Sequence, residues 1–182
     1  MSDCTRWKTI TARICVIALF ALQVCARALA QVPQSEHATA DETDHAVVYE
    51  LGLAGDWSQA EGWHPGGTVA FEVTPIEHWL ELEIGFTAIR ANTGTEMPVD
   101  VLFKKPWQFS RSFEFMVGVG PEIVHATGRD SGTFWGLESV LDFMFWPKRN
   151  VGWYVEPGYE VTFRDGARHH GLGISAGLLI GR

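Results

Sequence analysis

The chain has 182 residues, 46% of them hydrophobic and 20% charged, and its 14 Lys and Arg against 22 Asp and Glu give a net charge of -8. That acidic balance, with no stretch that gathers Lys and Arg into one face, excludes nucleic acid as a partner. All three cysteines lie at or before Cys25, so beyond that point a disulfide framework, a Cys-ligated metal and a thiol nucleophile are excluded as well.

Residues 1–30 read as a secretory signal peptide. Arg6, Lys8 and Arg13 form a basic start, Ile14 to Ala26 is an apolar run, and Ala28-Leu29-Ala30 has the A-x-A form of a cleavage site. The segment Leu22-Gln23-Val24-Cys25 has the outline of a lipoprotein box, but Val24 stands where a small residue is expected. Neither this apolar run nor any later one reaches the about 18 residues of a spanning helix. Removing the leader takes away Arg6, Lys8, Arg13, Arg27 and Asp3, which leaves ten basic and 21 acidic residues and a net charge of -11. Residues 31–45 are polar and acidic without apolar periodicity and read as a disordered periplasmic lead-in.

From Ala46 to the end the pattern changes to apolar-alternating runs of strand length separated by turn residues. Eight are predicted: Ala46 to Trp57, Gly67 to Thr74, Trp79 to Ile89, Pro98 to Lys104, Phe113 to Val124, Trp135 to Trp146, Val151 to Arg164 and Gly171 to Ile180. The period of two is clearest where Leu80, Leu82, Ile84 and Phe86 share one face and Glu81 and Glu83 take the other. Short connectors predict antiparallel hairpins in meander order, and eight strands suffice to close a small barrel and remove both sheet edges. The fold class is therefore all-β, an eight-stranded antiparallel up-and-down barrel. Pro121 and Pro157 fall within runs, as at a bulge or an early strand end.

Alternation fits both a soluble barrel with its apolar face inside and a membrane barrel with that face outside. Three observations favour the second. The apolar parity carries more bulk, from Tyr49 and Leu51 through Phe71, Phe86 and Phe115, than a closed eight-stranded interior holds. The polar parity interleaves acids with Gly52, Gly85, Gly118, Gly136 and Gly158, as a narrow lumen requires. Tryptophans sit at strand ends, Trp79, Trp107, Trp146 and Trp153 toward one set of turns and Trp57, Trp63 and Trp135 toward the other, as two interfacial girdles would.

With these features residues 46–182 resemble the small bacterial outer-membrane barrels of the OmpA-type and OmpX-type transmembrane fold. The resemblance implies a cell outer membrane location, periplasmic termini, contact with outer-membrane lipid and lipopolysaccharide, insertion by the barrel assembly machinery, and a monomer. It also implies outer loops near Ser58 to Gly66, Ala91 to Met97, Thr127 to Thr133 and Asp165 to His170, none of them long. The chain ends Leu178-Leu179-Ile180-Gly181-Arg182, without the terminal aromatic residue common in such barrels.

By parity the lumen collects Glu50, Glu72, Glu81, Glu83, Asp100, Glu114, Glu122, Glu138, Asp142, Glu156 and Glu160 against Lys104 and Arg164. So many carboxylates need water and cations, protons, or arginines such as Arg90, Arg111 and Arg129 folded inward. The plain reading is a solvated charge network that fills the barrel in a structural or envelope protein, and the sharper one is a narrow cation-preferring pore. An alternative from another class is a soluble periplasmic barrel that binds an apolar ligand, lipocalin-like. A remoter one is a lipid A-modifying enzyme using His125, Thr127, Glu138 and Ser139 near the outer rim; there the parities of His125 and Glu138 disagree. His64, His169 and His170 come together at the barrel seam and are candidate zinc ligands, without the spacing of a metal motif. No enzyme activity, cofactor or metal is assigned.

Overall fold

The structure, a computed structural model, describes residues 47–58, 62–92, 94–129 and 131–181. The expected signal peptide and acidic lead-in lie outside them. Eight strands follow in chain order: β1 (Val47–Ser58), β2 (Gly62–Ile76), β3 (Leu80–Arg90), β4 (Thr95–Ser110), β5 (Phe113–Ala126), β6 (Gly132–Lys148), β7 (Val151–Arg164) and β8 (Ala167–Gly181). Each pairs antiparallel with the next, and β1 pairs with β8 from Val48↔Gly181 to Ser58↔Gly171, so the meander closes into a barrel without edges. The end that holds the start of β1 and the end of β8 is called the near end below, and the opposite one the far end.

Several strands run further than the sequence pattern predicts. β2 begins at Gly62 rather than Gly67, β4 spans Thr95–Ser110 rather than 98–104, β6 begins at Gly132 and β8 at Ala167. Glycine and proline made these segments look like loop, yet each lies opposite a neighbour already in register, as in Gly55↔Pro65 and Pro106↔Met116. Extending the ladder satisfies backbone groups that a loop would leave to solvent. Connections shrink accordingly. Arg164 pairs with Ala167 across a two-residue turn in which Asp165 (φ 52°) and Gly166 (φ 76°) supply the left-handed pair of a type I′ hairpin.

The prolines do not make bulges. Pairing lapses for two positions and resumes in the same register around Pro98, Pro121 and Pro157: between Phe86↔Val99 and Ile89↔Glu96, between Asp100↔Glu122 and Phe103↔Val119, and between Val140↔Gly158 and Phe143↔Val155. A missing N–H removes ladder bonds without adding a residue. The register shifts sit instead beside the near turns, at Val73/Ile76, Gln108/Ser110 and Phe145/Lys148.

The wall sorts the two parities cleanly. Leu51, Leu53, Phe71, Ile84, Phe103, Val119, Ile123, Leu141, Leu172 and Leu178 face outward and are exposed, while Glu50, Glu72, Glu83, Lys104 and Asp142 are buried inside. This is the reverse of a soluble ligand-binding barrel. An exposed apolar belt running round a whole molecule is far beyond what a protein surface carries in water, and hydrocarbon is the solvent that suits it. Strands of 11 to 17 residues match or exceed the about 9–11 that cross a bilayer core.

Aromatic rings bracket the belt. At the near end Trp107 stacks on Phe115, which meets Phe143, and Phe113 and Trp153 flank Phe145, with ring centroids 4.0–5.8 Å apart. Trp79 is exposed at the same end. At the far end Trp57 faces Trp63 in register and Trp135 stacks on Phe163 at 4.3 Å. Trp146 corrects the expected girdle: it is 8% exposed and points into the barrel. It shares the even parity of Glu138 and Asp142 on β6, which is the lumen parity, so its position at a strand end was outweighed by its phase.

Candidate functional site

The lumen is filled in layers, and the layers follow from which inward residue each strand brings to a given height. Nearest the termini Val48, Met116, Met144, Trp146, Tyr154 and Leu179, from β1, β5, β6, β7 and β8, form one buried apolar cluster. Leu102 of β4 is buried as deeply but lies on the far side of Lys104, against the space that Asp100 enters. Six residues of this size in contact leave the near end packed with hydrocarbon and ring.

Above that plug lies a knot of charge. Lys104 of β4, 0% exposed, donates to Asp142 Oδ2 at 2.8 Å and to Glu156 Oε2 at 2.8 Å, is ion-paired with Glu83 Oε2, and lies 3.6 Å from Glu72 Oε2. One ammonium thus reaches strands β2, β3, β6 and β7 across the barrel. Carboxylate oxygens of Glu50, Glu72, Glu83 and Asp142 all lie within 4.8 Å of one another. This is the one group among the described residues with a metal-like spacing of Asp, Glu, His or Cys ligands, and Lys104 already sits in it. An ammonium held by several carboxylates is worth keeping only while all of them stay, because a buried charge stripped of its partner is strongly destabilising.

Higher still, Asp100, Glu122, Glu138 and Glu160 project from β4, β5, β6 and β7 into a space of about 80 Å³ floored by Glu83 and Glu156. It shares Asp56, Ile89, Pro98 and Glu160 with a vestibule of about 330 Å³ at the far end. Around that mouth Arg164 lies 3.9 Å from Glu96 and from Asp165 and holds its guanidinium 4.4 Å from the Phe134 ring. Ser58, Thr162, Arg168, His169 and His170 also line it, with His64.

The structure therefore places the expected lumen acids at several heights. Glu50, Glu72, Glu83, Asp142 and Glu156 meet at Lys104, and Asp100, Glu122, Glu138 and Glu160 stand above it. Glu81 faces Lys104 across β3 and β4 and is buried, while Glu114, half-buried, faces Gln108 and Met144 near the proximal turns. Arg90, Arg111 and Arg129 are exposed and do not fold inward. The hub role of Lys104 was missed, although the sequence carried a signal for it: a lysine on the lumen parity of a strand mid-run has nowhere to go but inside.

The other candidate groupings do not converge. His125 bonds Thr133 at 3.0 Å on the outer surface and the Ser139 hydroxyl donates to the Tyr159 carbonyl at 3.3 Å, both across the wall from Glu138. His169 has the lumen parity of β8, whereas His170 has the outward one and bonds the Tyr159 hydroxyl at 2.7 Å. All three histidines proposed for zinc line the far-end vestibule, but among the described residues they do not reach the ligand spacing that the Glu50, Glu72, Glu83 and Asp142 group has.

No protein-family model matches the chain, and no curated protein sequence matches it. Solved structures do. Neisserial surface protein A superposes with a TM-score of 0.58 at 14% identity, covering 75% of this chain and 96% of that one. The outer membrane protein OprG from Pseudomonas aeruginosa gives a TM-score of 0.57 at 11% identity, covering 77% and 98%. A designed transmembrane β-barrel gives 0.52 at 11% identity, covering 78% and 99%. At such identities the likeness is one of fold. The chain has the closed eight-stranded antiparallel barrel fold of small bacterial outer-membrane proteins.

Proposed function

We propose that this protein is an outer-membrane barrel with a closed lumen, a structural element of the envelope that holds an acidic well beneath a vestibule of mixed charge at its far end and does not conduct. One observation carries this reading. The apolar plug and the Lys104 knot lie one above the other, and both are built from side chains with almost no solvent exposure. A narrow pore needs a continuous wet path lined by exchangeable groups. Here an entering cation would have to displace an ammonium already bonded to several carboxylates and then cross a layer of Met, Leu, Tyr and Trp.

On this reading the apolar belt meets outer-membrane lipid and lipopolysaccharide, the barrel assembly machinery inserts the chain, and full pairing of all eight strands suits a monomer. Two measurements test it. Fractionation should recover the protein with outer membranes, needing detergent for release and shifting in gel mobility on boiling. In planar bilayers the refolded protein should give no steady conductance. Release by osmotic shock would overturn the membrane assignment, and ohmic, cation-selective steps would replace the closed scaffold with the pore.

A further inference from the structure

The carboxylates above the knot differ from those within it. Among the described residues no Lys or Arg pairs with Asp100, Glu122, Glu138 or Glu160. Glu122 is 2% exposed and Asp100 7%, both line the 80 Å³ space, and Glu122 Oε1 and Asp100 Oδ1 have no hydrogen-bond partner. Buried polar oxygens normally have partners, so unsatisfied ones that face a cavity mark a place where something else supplies the donor.

The glycines opposite them show how the space stays open. Gly85 pairs with Asp100, Gly136 with Glu122 and Gly171 with Glu160 in register. A Cβ at Gly85 or Gly171 would strike the facing carboxylate, and one at Gly136 would lie 2.9 Å from Glu122 Oε1. Each acid lies down along the wall over its glycine and leaves the axis of the barrel free.

The same barrel shows what such carboxylates hold. Just below, the Lys104 ammonium is bound by acids from four strands. We propose that the well above it binds a linear polyamine, with primary ammonium groups taken by Asp100, Glu122, Glu138 and Glu160 as Lys104 Nζ is taken by Glu83, Asp142 and Glu156. A bare metal ion fits less well, because these four do not bring their oxygens together at ligand spacing, whereas the set that does is filled by Lys104. A polyamine spreads its charges along a chain and so matches acids set at different heights. Its methylenes would lie against Ile89, Pro98, Val124 and Phe134, which line the vestibule.

The inference rests on the barrel and its register, not on the closed-lumen reading, so binding and conductance are read separately. Isothermal titration of the full barrel refolded in zwitterionic detergent, at pH 7 and low ionic strength, would use spermidine as the probe, with magnesium chloride and butylamine in parallel. Saturable binding near one spermidine per barrel is expected, weakened at least tenfold by Glu122→Gln with Asp100→Asn. Gly136→Ala should also weaken it while leaving every charge in place, and Glu77→Gln on an exposed near turn should leave it unchanged. Each variant is first checked for the gel shift of a folded barrel, and the two kinds of lumen variant stand in for each other if one fails to fold. No saturable binding, indifference to both lumen variants, equal weakening by Glu77→Gln, or magnesium or butylamine binding as tight as spermidine would each overturn the proposal.

Discussion

The near and far halves of this barrel are built from one alternating pattern and end in opposite states. In the near half the inward residues are large and apolar or are tied to one lysine, and they fill the section. In the far half they are acids laid over glycines, and the section stays open. Alternation sets which side of the wall a residue faces. Whether the lumen is solid or hollow at a given height depends on what the adjacent strands place opposite it.

The comparison breaks most severely at Lys104. Lys104→Met leaves four or five carboxylates buried around an apolar tip, and a loss of about 3–5 kcal/mol is expected, read as a lower urea midpoint for unfolding from lipid vesicles. Adding Asp142→Asn to that variant should restore part of the loss. An unchanged midpoint for Lys104→Met would mean that water already serves the knot.

Next comes the plug. Leu179→Ala cuts into a fully packed layer and should cost about 2–5 kcal/mol, whereas the adjacent lipid-facing Ile180→Ala should cost far less in the same unfolding series. Neither change alone opens a conducting path, since the knot stands above the plug. Equal costs for the two positions would show that the near half is not packed as a core.

The outer face is tested at mid-depth. Leu141 is exposed on β6 between Trp135 of the far girdle and Phe145 of the near one. Leu141→Arg places a charge in hydrocarbon and should cost about 2–4 kcal/mol in lipid, with little effect in detergent, where the head group finds water. The smallest effect belongs to the far half. Glu122→Gln removes one of several neighbouring carboxylates that have no cation, so stability should hold or rise. A loss comparable to that at Lys104 would erase the distinction between the halves.

Much of this protein was legible in the sequence. The period of two, the spacing of eight runs and the short connectors specify a meander, and the surplus of apolar bulk on one parity turns the barrel inside out for a membrane. The side of the wall taken by the buried lumen acids follows from the same phase, and so does that of Trp146, whose even parity on β6 outweighs its place at a strand end. Strand limits were less legible, because Gly62 to Gly66 and Lys105 to Ser110 have loop composition and become strand only when a neighbour in register offers them hydrogen bonds. What tertiary structure alone decided is height. Residues 104, 83, 142 and 156 are distant in sequence, and only closure of the sheet with its particular stagger sets them at one level around Lys104. That stagger also puts Gly85, Gly136 and Gly171 opposite Asp100, Glu122 and Glu160. Phase along a strand is a local property of the chain, but register between strands is a property of the closed barrel.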